Sequence, residues 1–402
     1  MIPGGEEQQE NPMKVDVVIV GGGVIGSAIA YFLSAHPGFD GSVLVVERDM
    51  TYTDGSTARS AGSIRQQFST PENIAISQYG VAFLQQLDRH LAVEGEVPHI
   101  SFVAGGYLFL ASEKGRRNLQ SNYNTQCEEG VQVSWLERGG LSERFPWLNV
   151  DDLSAGCIGE RDEGWFDPYA LLQGFKRKAQ QHGVVYQQDT VAGIGRSGAR
   201  VDSIDLASGT TVSCGYIINA AGPRAARVAE MAKLKVPVFP RKRYVYVFDC
   251  RTPIPECPLV VDPSGCYFRP EGSSFICGLS PPPDEDPDCL DLEVDFDYFD
   301  ERIWPLLAHR VPAFEAIKRT RAWAGHYAYN TFDQNAILGP HPEVGNFLFA
   351  NGFSGHGLQQ APAVGRAISE WLIYGESRSL DLRRLMYDRL AENRPILELN
   401  VV

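Results

Sequence analysis

The stretch that decides the fold runs from residue 15 to residue 49 and reads VDVVIVGGGVIGSAIAYFLSAHPGFDGSVLVVERD. Its opening, Val15–Val20, is a short β-branched apolar run typical of a buried parallel strand. A glycine-rich turn and an apolar pattern of helical period follow, and then a second buried run, Ser42–Val46, which ends at Glu47. A strand, a glycine turn, a helix and a second strand with a terminal acid are the complete context of a dinucleotide-binding unit.

The turn has the spacing Gly21-x-Gly23-x-x-Gly26, and each glycine has a physical task. Gly21 permits the tight turn, Gly23 lets the backbone approach a pyrophosphate, and Gly26 lets the helix pack closely on the strand. Val24 and Ile25 open the helix, whose N-terminus offers free N–H groups and partial positive charge to phosphates. These five residues are therefore predicted to bind the cofactor.

Glu47 falls 21 residues after Gly26 and is followed by Arg48. A carboxylate there accepts hydrogen bonds from ribose hydroxyls and disfavours NADP, whose extra phosphate is better matched by an arginine. Both residues are predicted cofactor contacts. The unit alone does not separate FAD from NAD, so a nicotinamide-dependent dehydrogenase stays open at this point.

Composition narrows the class of protein. The chain has 402 residues with 36 Lys and Arg against 50 Asp and Glu, a net charge of −14, which disfavours a nucleic-acid binder. Eight cysteines occur without CxxC or zinc-type spacing, so no metal site is predicted. There is no apolar run of transmembrane length, and residues 1–12 are expected to form a disordered leader that is not a signal peptide. A cytoplasmic protein is therefore expected. Membrane contact is not indicated, although peripheral association stays open.

Cofactor-type segments recur later in the chain. YIINAAG at 216–222 is a second strand-and-glycine unit, and TFDQNAILG at 331–339 leads to the glycine-dense GFSGHG at 352–357. Pro-rich, strand-like blocks lie between them, which predicts a discontinuous α/β cofactor domain with an inserted α+β lobe. The predicted cofactor domain comprises residues 13–85, 155–230 and 325–402, and the predicted substrate domain comprises residues 86–154 and 231–324.

These motifs carry a family resemblance. GGGVIGSAIAYFL with Glu47, INAAGPRA, DQNAILGPHP and GFSGHG together resemble the D-amino-acid oxidase / sarcosine oxidase group of FAD enzymes, over about residues 14–375. STARSAGSIRQQFSTPENIAIS and GFSGHGLQQAP resemble most a subgroup of FAD-dependent oxidoreductase-domain proteins. That subgroup includes a mitochondrial member linked to respiratory complex I assembly and bacterial amino-acid-oxidising enzymes. The resemblance implies FAD, a Rossmann-type FAD-binding domain and a β-sheet substrate-binding domain.

The resemblance also places further cofactor contacts. The loop GSTARSAG at 55–62 is expected to lie against the flavin and its pyrophosphate, since small residues admit backbone and hydroxyls supply donors; a flexible surface loop is the alternative. GFSGHG is expected to bring backbone alongside the flavin, with a helix beginning near Gln360. The expected contacts are Ser56, Thr57, Arg59, Ser60, Ala61, Gly62, Val191, Ala220, Ala221, Gly222, Gly352, Ser354, Gly355, His356, Gly357, Leu358 and Gln359.

Three residues are candidates for holding a substrate carboxylate, which the planar fork of arginine matches best. Arg65 resembles the arginine that binds the carboxylate in sarcosine oxidases; a surface or phosphate-contacting arginine is the alternative. Arg269 lies in an apolar run and needs a partner, either a substrate carboxylate or an internal Asp or Glu. Gln359 stands where sarcosine oxidases carry a second carboxylate-binding lysine, which argues against sarcosine as the substrate.

His326 and Tyr327 are the remaining catalytic candidates. By resemblance His326 occupies the place of a flavin-tethering cysteine, and Arg59 that of a tethering histidine, so FAD is expected to be non-covalent. A covalent link through His326 and a plain core histidine stay open. Ile276 stands where sarcosine oxidase has its oxygen-activating lysine, which leaves a dehydrogenase open beside an oxidase.

The predicted function is FAD-dependent oxidative deamination of an α-amino acid, favoured L, by hydride transfer from Cα. The imino acid becomes a keto acid and ammonia, and oxygen reoxidises the flavin to give hydrogen peroxide. One alternative is a dehydrogenase of secondary or N-methyl amino acids that uses a quinone or electron carrier; another is a non-catalytic flavoprotein assembly factor. The expected partner is a small amino acid, and a homodimer stays open. The C-terminal segment from residue 380 is expected to form a solvated helix, with an interface role as the alternative.

Overall fold

The structure is a computed structural model that describes residues 13–399. The expected leader at residues 1–12 lies outside the described residues, as do residues 400–402. Strands and helices alternate in the first half and near the C-terminus, and strands dominate the stretch between them.

Over residues 13–399 the strands form two eight-stranded sheets and a two-stranded ribbon. In chain order the strands are β1 Met13–Val20, β2 Val43–Glu47, β3 Ser63–Ile64, β4 Tyr107–Ala111, β5 Val133–Glu137, β6 Ala155–Gly159, β7 Gly164–Trp165, β8 Val185–Gln188, β9 Val191–Ser197, β10 Arg200–Leu206, β11 Thr211–Asn219, β12 Val238–Cys250, β13 Leu259–Val261, β14 Tyr267–Glu271, β15 Ser274–Gly278, β16 Ile317–Asn330, β17 Ile337–His341 and β18 Val344–Asn351.

The helices pack against both sheets and against one another. They are α1 Val24–Ser34, α2 Pro71–Leu84, α3 Leu87–Leu91, α4 Arg116–Glu128, α5 Arg138–Arg144, α6 Pro168–Gln181, α7 Ala225–Met231, α8 Phe296–Tyr298, α9 Trp304–Arg310, α10 Gly357–Tyr374 and α11 Asp388–Ala391.

The first sheet has the order β17-β18-β11-β1-β2-β8, with β10 and β9 added beside β11. β1 pairs in parallel with both β2 and β11, and β11 pairs in parallel with β18. Side chains of β1 alternate between two apolar clusters, with Val17 and Ile19 on the α1 side and Val18 and Val20 on the other. Both faces are covered, which explains why the strand is apolar throughout.

The second sheet has the order β16-β12-β15-β14-β13-β4-β6-β5 and is antiparallel apart from the β13–β4 pair. Its longest ladder joins β12 to β16, from the pair Val238–Asn330 to the pair Cys250–Ile317. The two sheets are the predicted Rossmann-type domain and the predicted β-rich lobe, and the expected fold class is confirmed. β6, at the start of the predicted cofactor segment 155–230, pairs within the second sheet, and β16 spans the predicted boundary between residues 324 and 325. The division into domains stays a prediction.

The ribbon of β3 and β7 connects the parts of the chain that carry the site. Ser63 pairs with Trp165 and Ile64 pairs with Gly164 in antiparallel register. Arg65 follows the last residue of β3 directly. The ribbon therefore fixes where Arg65 leaves the strand.

Two expectations about the C-terminal part need correction. Helix α10 begins at Gly357, not near Gln360. The segment after residue 380 forms one 3-10 turn, Arg383–Leu385, and the four-residue helix α11 rather than one continuous solvated helix. Its end is bound to the protein, because Glu398 accepts hydrogen bonds from Ser69, Thr70 and Asn73 at the start of α2. None of the helices within residues 13–399 has both the length and the apolar character needed to cross a membrane.

Candidate functional site

A cavity of about 560 Å³ lies where the carboxyl ends of β1, β2 and β11 meet the second sheet. Ligands of open α/β sheets bind at this edge, where the strand order reverses. The first-sheet wall contains the glycine turn, Glu47 and Arg48. The opposite wall contains Arg65 and His326. Most of the predicted cofactor residues and most of the predicted substrate residues thus line one cavity.

The glycine turn is shaped by close backbone contacts. Gly21 has φ of +103°, and a Cβ there would lie 2.5 Å from the carbonyl oxygen of Ala220 on the neighbouring strand end. A Cβ on Gly26 would overlap the carbonyl oxygen of Gly21. Gly23 faces the cavity, and the nearest atom to a Cβ there would be Thr57 Oγ1 at 3.5 Å. The turn therefore needs glycine at the first and third positions for packing and leaves the second open to a ligand.

The loop after β2 completes this wall. Thr57 Oγ1 accepts a hydrogen bond from the backbone N–H of Val24 at 3.2 Å, so the loop holds the first turn of α1. Ser56 Oγ is buried on the cavity wall and has no hydrogen-bond partner within the described part of the chain. A buried hydroxyl without a partner is costly, and a ligand oxygen in the cavity satisfies it. Glu47 accepts hydrogen bonds from the N–H of Gly22 at 2.8 Å and of Asp49 at 3.0 Å, which fixes its carboxylate beside the turn.

Three arginines gather on the same wall, although the chain is acidic overall. Arg48, Arg224 and Arg227 all line the cavity. Burial, and then the charges of Arg48 and Arg227, lower the pKa of Arg224. An anion in the cavity would relieve this repulsion, and the diphosphate of a dinucleotide is such an anion. Arg224 and Arg227 were not selected from the sequence, although Arg224 follows the second glycine unit and gave the only local signal.

The expected cofactor residues fall into two groups. Those on the cavity wall are Gly21, Gly23, Val24, Ile25, Glu47, Arg48, Ser56, Thr57, Arg59, Ser60, Ala61, Val191, Ala220, Ala221, Gly222, Gly355, His356, Gly357, Leu358 and Gln359. Those behind the wall are Gly26, Gly62, Gly352 and Ser354; Ser354 Oγ, for example, accepts a hydrogen bond from the N–H of Asn330 at 3.0 Å. The structure gives these four packing contacts with the protein itself.

The glycine density of 352–357 is explained partly by protein contacts. Gly355 has φ of +101°, and a Cβ there would lie 2.6 Å from the ring of Tyr327. A side chain at this position would therefore be strained and would displace the tyrosine. The loop brings His356 and Gln359 to the cavity wall and at the same time presses against β16.

Arg65 is 2% exposed and lines the cavity. Its guanidinium lies 4.1 Å from the ring centroid of Phe68, which is a cation–π contact. Nη1 donates to the carbonyl oxygen of Gln67, and Nη2 lies 3.1 Å from Nε2 of His356. The side chain is thus held by neighbours while its guanidinium stays on the cavity wall.

The contacts of Arg65 define the states of two neighbours. Arginine only donates, so Nε2 of His356 accepts and the proton of this imidazole sits on Nδ1. Burial and the charge of Arg65 hold the pKa of His356 well below its usual value, which keeps it neutral. Gln359 Oε1 accepts from the backbone N–H of Arg65 at 2.7 Å. The amide nitrogen of Gln359 is therefore the group that this side chain can offer as a donor.

His326 and Tyr327 also lie on the wall. His326 is 8% exposed, its Nε2 lies 3.0 Å from the carbonyl oxygen of Asp291, and burial lowers its pKa. Because a carbonyl accepts, Nε2 carries the proton and Nδ1 is an acceptor. Burial raises the pKa of Tyr327, against the opposing charges of Arg243 and Arg65. Both side chains are thus neutral near pH 7.

Two tyrosines and one arginine on the wall were missed from the sequence. Tyr107 and Tyr267 stand at the first residues of β4 and β14, and burial raises the pKa of Tyr107 to about 12 and that of Tyr267 well above its usual value. Arg243 binds Asp286 through both terminal nitrogens at 2.7 Å. An aromatic residue at a strand start gives no signal that separates core from cavity.

Arg269 is buried but does not line the cavity. It forms an ion pair with Glu271, and its Nη2 donates to the carbonyl oxygen of Ala61 at 2.5 Å. Its partner is therefore the internal carboxylate that was the second of two alternatives. The residue fixes the loop that carries Ala61 rather than facing the cavity.

The residues present fit FAD. The glycine turn, the partnerless hydroxyl of Ser56 and the arginine cluster suit a diphosphate, and Glu47 stands at the end of β2 where ribose hydroxyls are bound. The same cavity continues to Tyr107, Tyr267 and Arg65, so the dinucleotide turn and the substrate candidates face one space.

Comparison with known proteins agrees with this geometry. The chain is 45% identical to FAD-dependent oxidoreductase domain-containing protein 1 of Xenopus laevis, over 97% of this chain and 85% of the relative. The fold is shared with L-proline dehydrogenase from P. horikoshii, at a TM-score of 0.84, 24% identity and coverage of 96% of this chain and 100% of that chain. It is also shared with glycine oxidase from Geobacillus kaustophilus, at a TM-score of 0.79, 23% identity and coverage of 93% and 98%. The family described as FAD dependent oxidoreductase matches residues 16–371, and the chain belongs to this family, with FAD as its cofactor.

Proposed function

We propose that the protein oxidises an α-amino acid, favoured L, by removing hydride from Cα, and that the imino acid hydrolyses to a keto acid and ammonia. The observation that carries this proposal is the position of Arg65, whose buried guanidinium shares one cavity with the dinucleotide turn. FAD, when bound, supplies the two-electron acceptor, and oxygen then takes the electrons to give hydrogen peroxide.

Arg65 binds the substrate carboxylate. A guanidinium forms two parallel charge-assisted hydrogen bonds with a carboxylate, and this fixes the orientation of Cα. The amide nitrogen of Gln359 is a second donor nearby, since its oxygen is held by the N–H of Arg65. A neutral amide adds no charge, which suits substrates with one carboxylate and a larger side chain.

The tyrosines and histidines on the cavity wall are uncharged near pH 7, and they orient the substrate through hydrogen bonds and ring contacts. The phenols of Tyr107, Tyr267 and Tyr327 keep their protons near pH 7, because burial raises each pKa. They can donate hydrogen bonds and present apolar ring faces to the side chain. His326 and His356 are neutral, so they do not repel an ammonium group before it loses its proton.

A dehydrogenase of secondary or N-methyl amino acids is the second candidate. Ile276 is 1% exposed and packs with Val245, which lines the cavity, so an apolar residue stands where a lysine is expected in an oxygen-reactive relative. Such an enzyme would pass electrons to a quinone or a carrier. One solved structure that shares the fold is named L-proline dehydrogenase, and proline is a secondary amino acid.

The test is anaerobic mixing of the FAD-loaded protein with a panel of L-, D- and N-methyl amino acids, with flavin absorbance near 450 nm as the readout. We expect bleaching by one class, and loss of bleaching in Arg65→Ala with FAD still bound. Arg383→Ala is the matched control, because that arginine has a side chain 83% exposed and binds Asp381 at the surface. Bleaching that is unchanged in Arg65→Ala contradicts the site.

Readmitting air distinguishes the two enzymes, since an oxidase recovers its absorbance with hydrogen peroxide and a dehydrogenase recovers only with an added electron carrier. If no member of the panel bleaches the flavin, a non-catalytic flavoprotein assembly factor becomes the better description.

A further inference from the structure

Glu163 is a buried carboxylate that the proposed mechanism does not use. It is 1% exposed, lies in the loop between β6 and β7, and does not line the cavity. Oε1 accepts hydrogen bonds from the backbone N–H groups of Gln66 at 2.6 Å and Gln67 at 3.2 Å. Oε2 accepts from Nε2 of Gln67 at 2.8 Å. One side chain therefore holds both residues that follow Arg65.

The ribbon places Glu163 opposite Arg65. Ile64 pairs with Gly164 in antiparallel register, so the next position along the two strands sets Arg65 against Glu163. The space is closed on the far side, because a Cβ on Gly159 would overlap the Glu163 carboxylate. The carboxylate is thus confined between two strands and the loop that begins at Arg65.

The contact continues to the guanidinium. The carbonyl oxygen of Gln67 accepts from Nη1 of Arg65, and Nε2 of Gln67 also donates to the carbonyl oxygen of Tyr107 at 2.7 Å. Moving the Gln66–Gln67 backbone would therefore move an acceptor of Arg65 and loosen Tyr107 on the cavity wall.

Burial makes the Glu163 carboxylate depend on its hydrogen bonds to the Gln66–Gln67 loop. Burial raises the pKa of Glu163 to about 7, although its N–H donors and the charge of Arg65 act in the opposite direction. A buried carboxylate is tolerated only while its donors stay in place, so the loop cannot leave it cheaply.

We propose that Glu163 is a positioning residue, which holds the Gln66–Gln67 loop so that the guanidinium of Arg65 faces the cavity and selects carboxylate ligands. This rests on the anion-binding role of Arg65 in the proposed function. Glu163 acts through the loop and does not touch the ligand.

The test measures binding without turnover. The FAD-loaded protein is titrated with benzoate and with benzamide, two ligands of one shape that differ in charge, and the dissociation constants are read from the change in flavin absorbance. We expect the wild type to prefer benzoate. Glu163→Gln should weaken benzoate binding at least tenfold and change benzamide binding less than twofold, because the amide nitrogen meets donors where an acceptor is needed.

Glu160→Gln is the matched control on the same loop, since Glu160 is exposed and binds Arg144 at the surface; it should leave both constants unchanged. A second variant, Gln67→Met, removes the side-chain donor to Glu163 and to the carbonyl oxygen of Tyr107 and keeps the backbone bonds. It should weaken benzoate binding at least threefold more than benzamide binding, and it replaces Glu163→Gln in the test if that variant does not fold.

The proposal is overturned if Glu163→Gln and Gln67→Met bind benzoate as the wild type does, or if both ligands weaken equally, which a general structural defect would cause. It is also overturned if the wild type does not prefer benzoate. A wild type that prefers benzoate but is bleached by no amino acid refutes the proposed function and leaves this proposal standing.

Discussion

Replacing Arg65 by lysine keeps the positive charge and removes the planar guanidinium. The variant therefore tests whether two parallel hydrogen bonds to the substrate carboxylate are needed. In the structure Nη1 and Nη2 have different partners, the carbonyl oxygen of Gln67 and Nε2 of His356, and the plane lies 4.1 Å from the Phe68 centroid. A lysine side chain ends in a single ammonium group and lacks the planar guanidinium. It cannot satisfy both partners, stack on Phe68 and offer two parallel hydrogen bonds to a carboxylate.

The expected loss follows from these contacts. A hydrogen bond to a charged group contributes about 1.5–3 kcal/mol. The contact with Phe68 is also made in the free protein, so its loss lowers stability and does not enter kcat/KM. If one of the two hydrogen bonds to the carboxylate is lost, Arg65→Lys should lose about 1.5–3 kcal/mol, which is about 10- to 160-fold in kcat/KM.

The assay is stopped-flow anaerobic flavin reduction by the best substrate of the panel, which separates the limiting rate from the dissociation constant. FAD content should match the wild type, the unfolding midpoint should fall only as far as the lost Phe68 contact requires, and Arg383→Lys should behave as the wild type. A value of kcat/KM in Arg65→Lys within fivefold of the wild type would show that charge alone suffices and would refute the role of the fork.

Three further predictions concern the cofactor wall and stability. Thr57→Val removes the acceptor of the Val24 N–H and should weaken FAD binding about five- to thirtyfold, from a capping loss of about 1–2 kcal/mol, as fluorescence titration of the apoprotein can show; equal affinity contradicts it. Gly355→Ala adds a methyl group against the Tyr327 ring at φ of +101° and should lower the free energy of unfolding by about 1–3 kcal/mol, measured with urea; a neutral change would mean that the loop relaxes freely. The pKa of His356 in the folded protein lies far below its value in the unfolded chain. The stability that neutral His356 contributes is therefore complete above the unfolded pKa and is lost as pH falls below that value. The difference in unfolding free energy between wild type and His356→Asn should shrink from pH 7.5 to pH 5.5, and a constant difference would contradict this prediction.

The cofactor-binding residues could be predicted from the sequence because their motifs are continuous along the chain. The turn, Val24, Ile25 and Glu47 lie within one continuous strand–turn–helix–strand unit, and the structure places all the predicted residues of that unit except Gly26 on the cavity wall. Spacing along the chain is enough here, since backbone geometry alone brings these groups together. The same holds for the loop with Ser56 and Thr57, which follows the strand end directly.

Local sequence patterns could not predict which sheet each strand joins or which group pairs with Arg269. β6 and β16 pair with strands far away in the sequence, so their sheet membership depends on ladders that no local pattern records. Arg269 bonds Glu271 two residues away, yet the sequence could not tell whether that carboxylate or a ligand would be the partner. The fold decided the partner, because it buries Arg269 away from the cavity, and burial depends on contacts from the whole chain.

By itself the sequence determined the dinucleotide unit, the family motifs and the choice of Arg65, because each depends on neighbouring residues. Only the tertiary structure decided that Tyr107 and Tyr267 line the cavity, that Gln359 offers its nitrogen rather than its oxygen, and that Glu163 stands behind Arg65. Those facts join residues up to 294 positions apart, as for Arg65 and Gln359. Contacts of that range arise from sheet pairing and the burial of polar groups, which act only once the chain has folded.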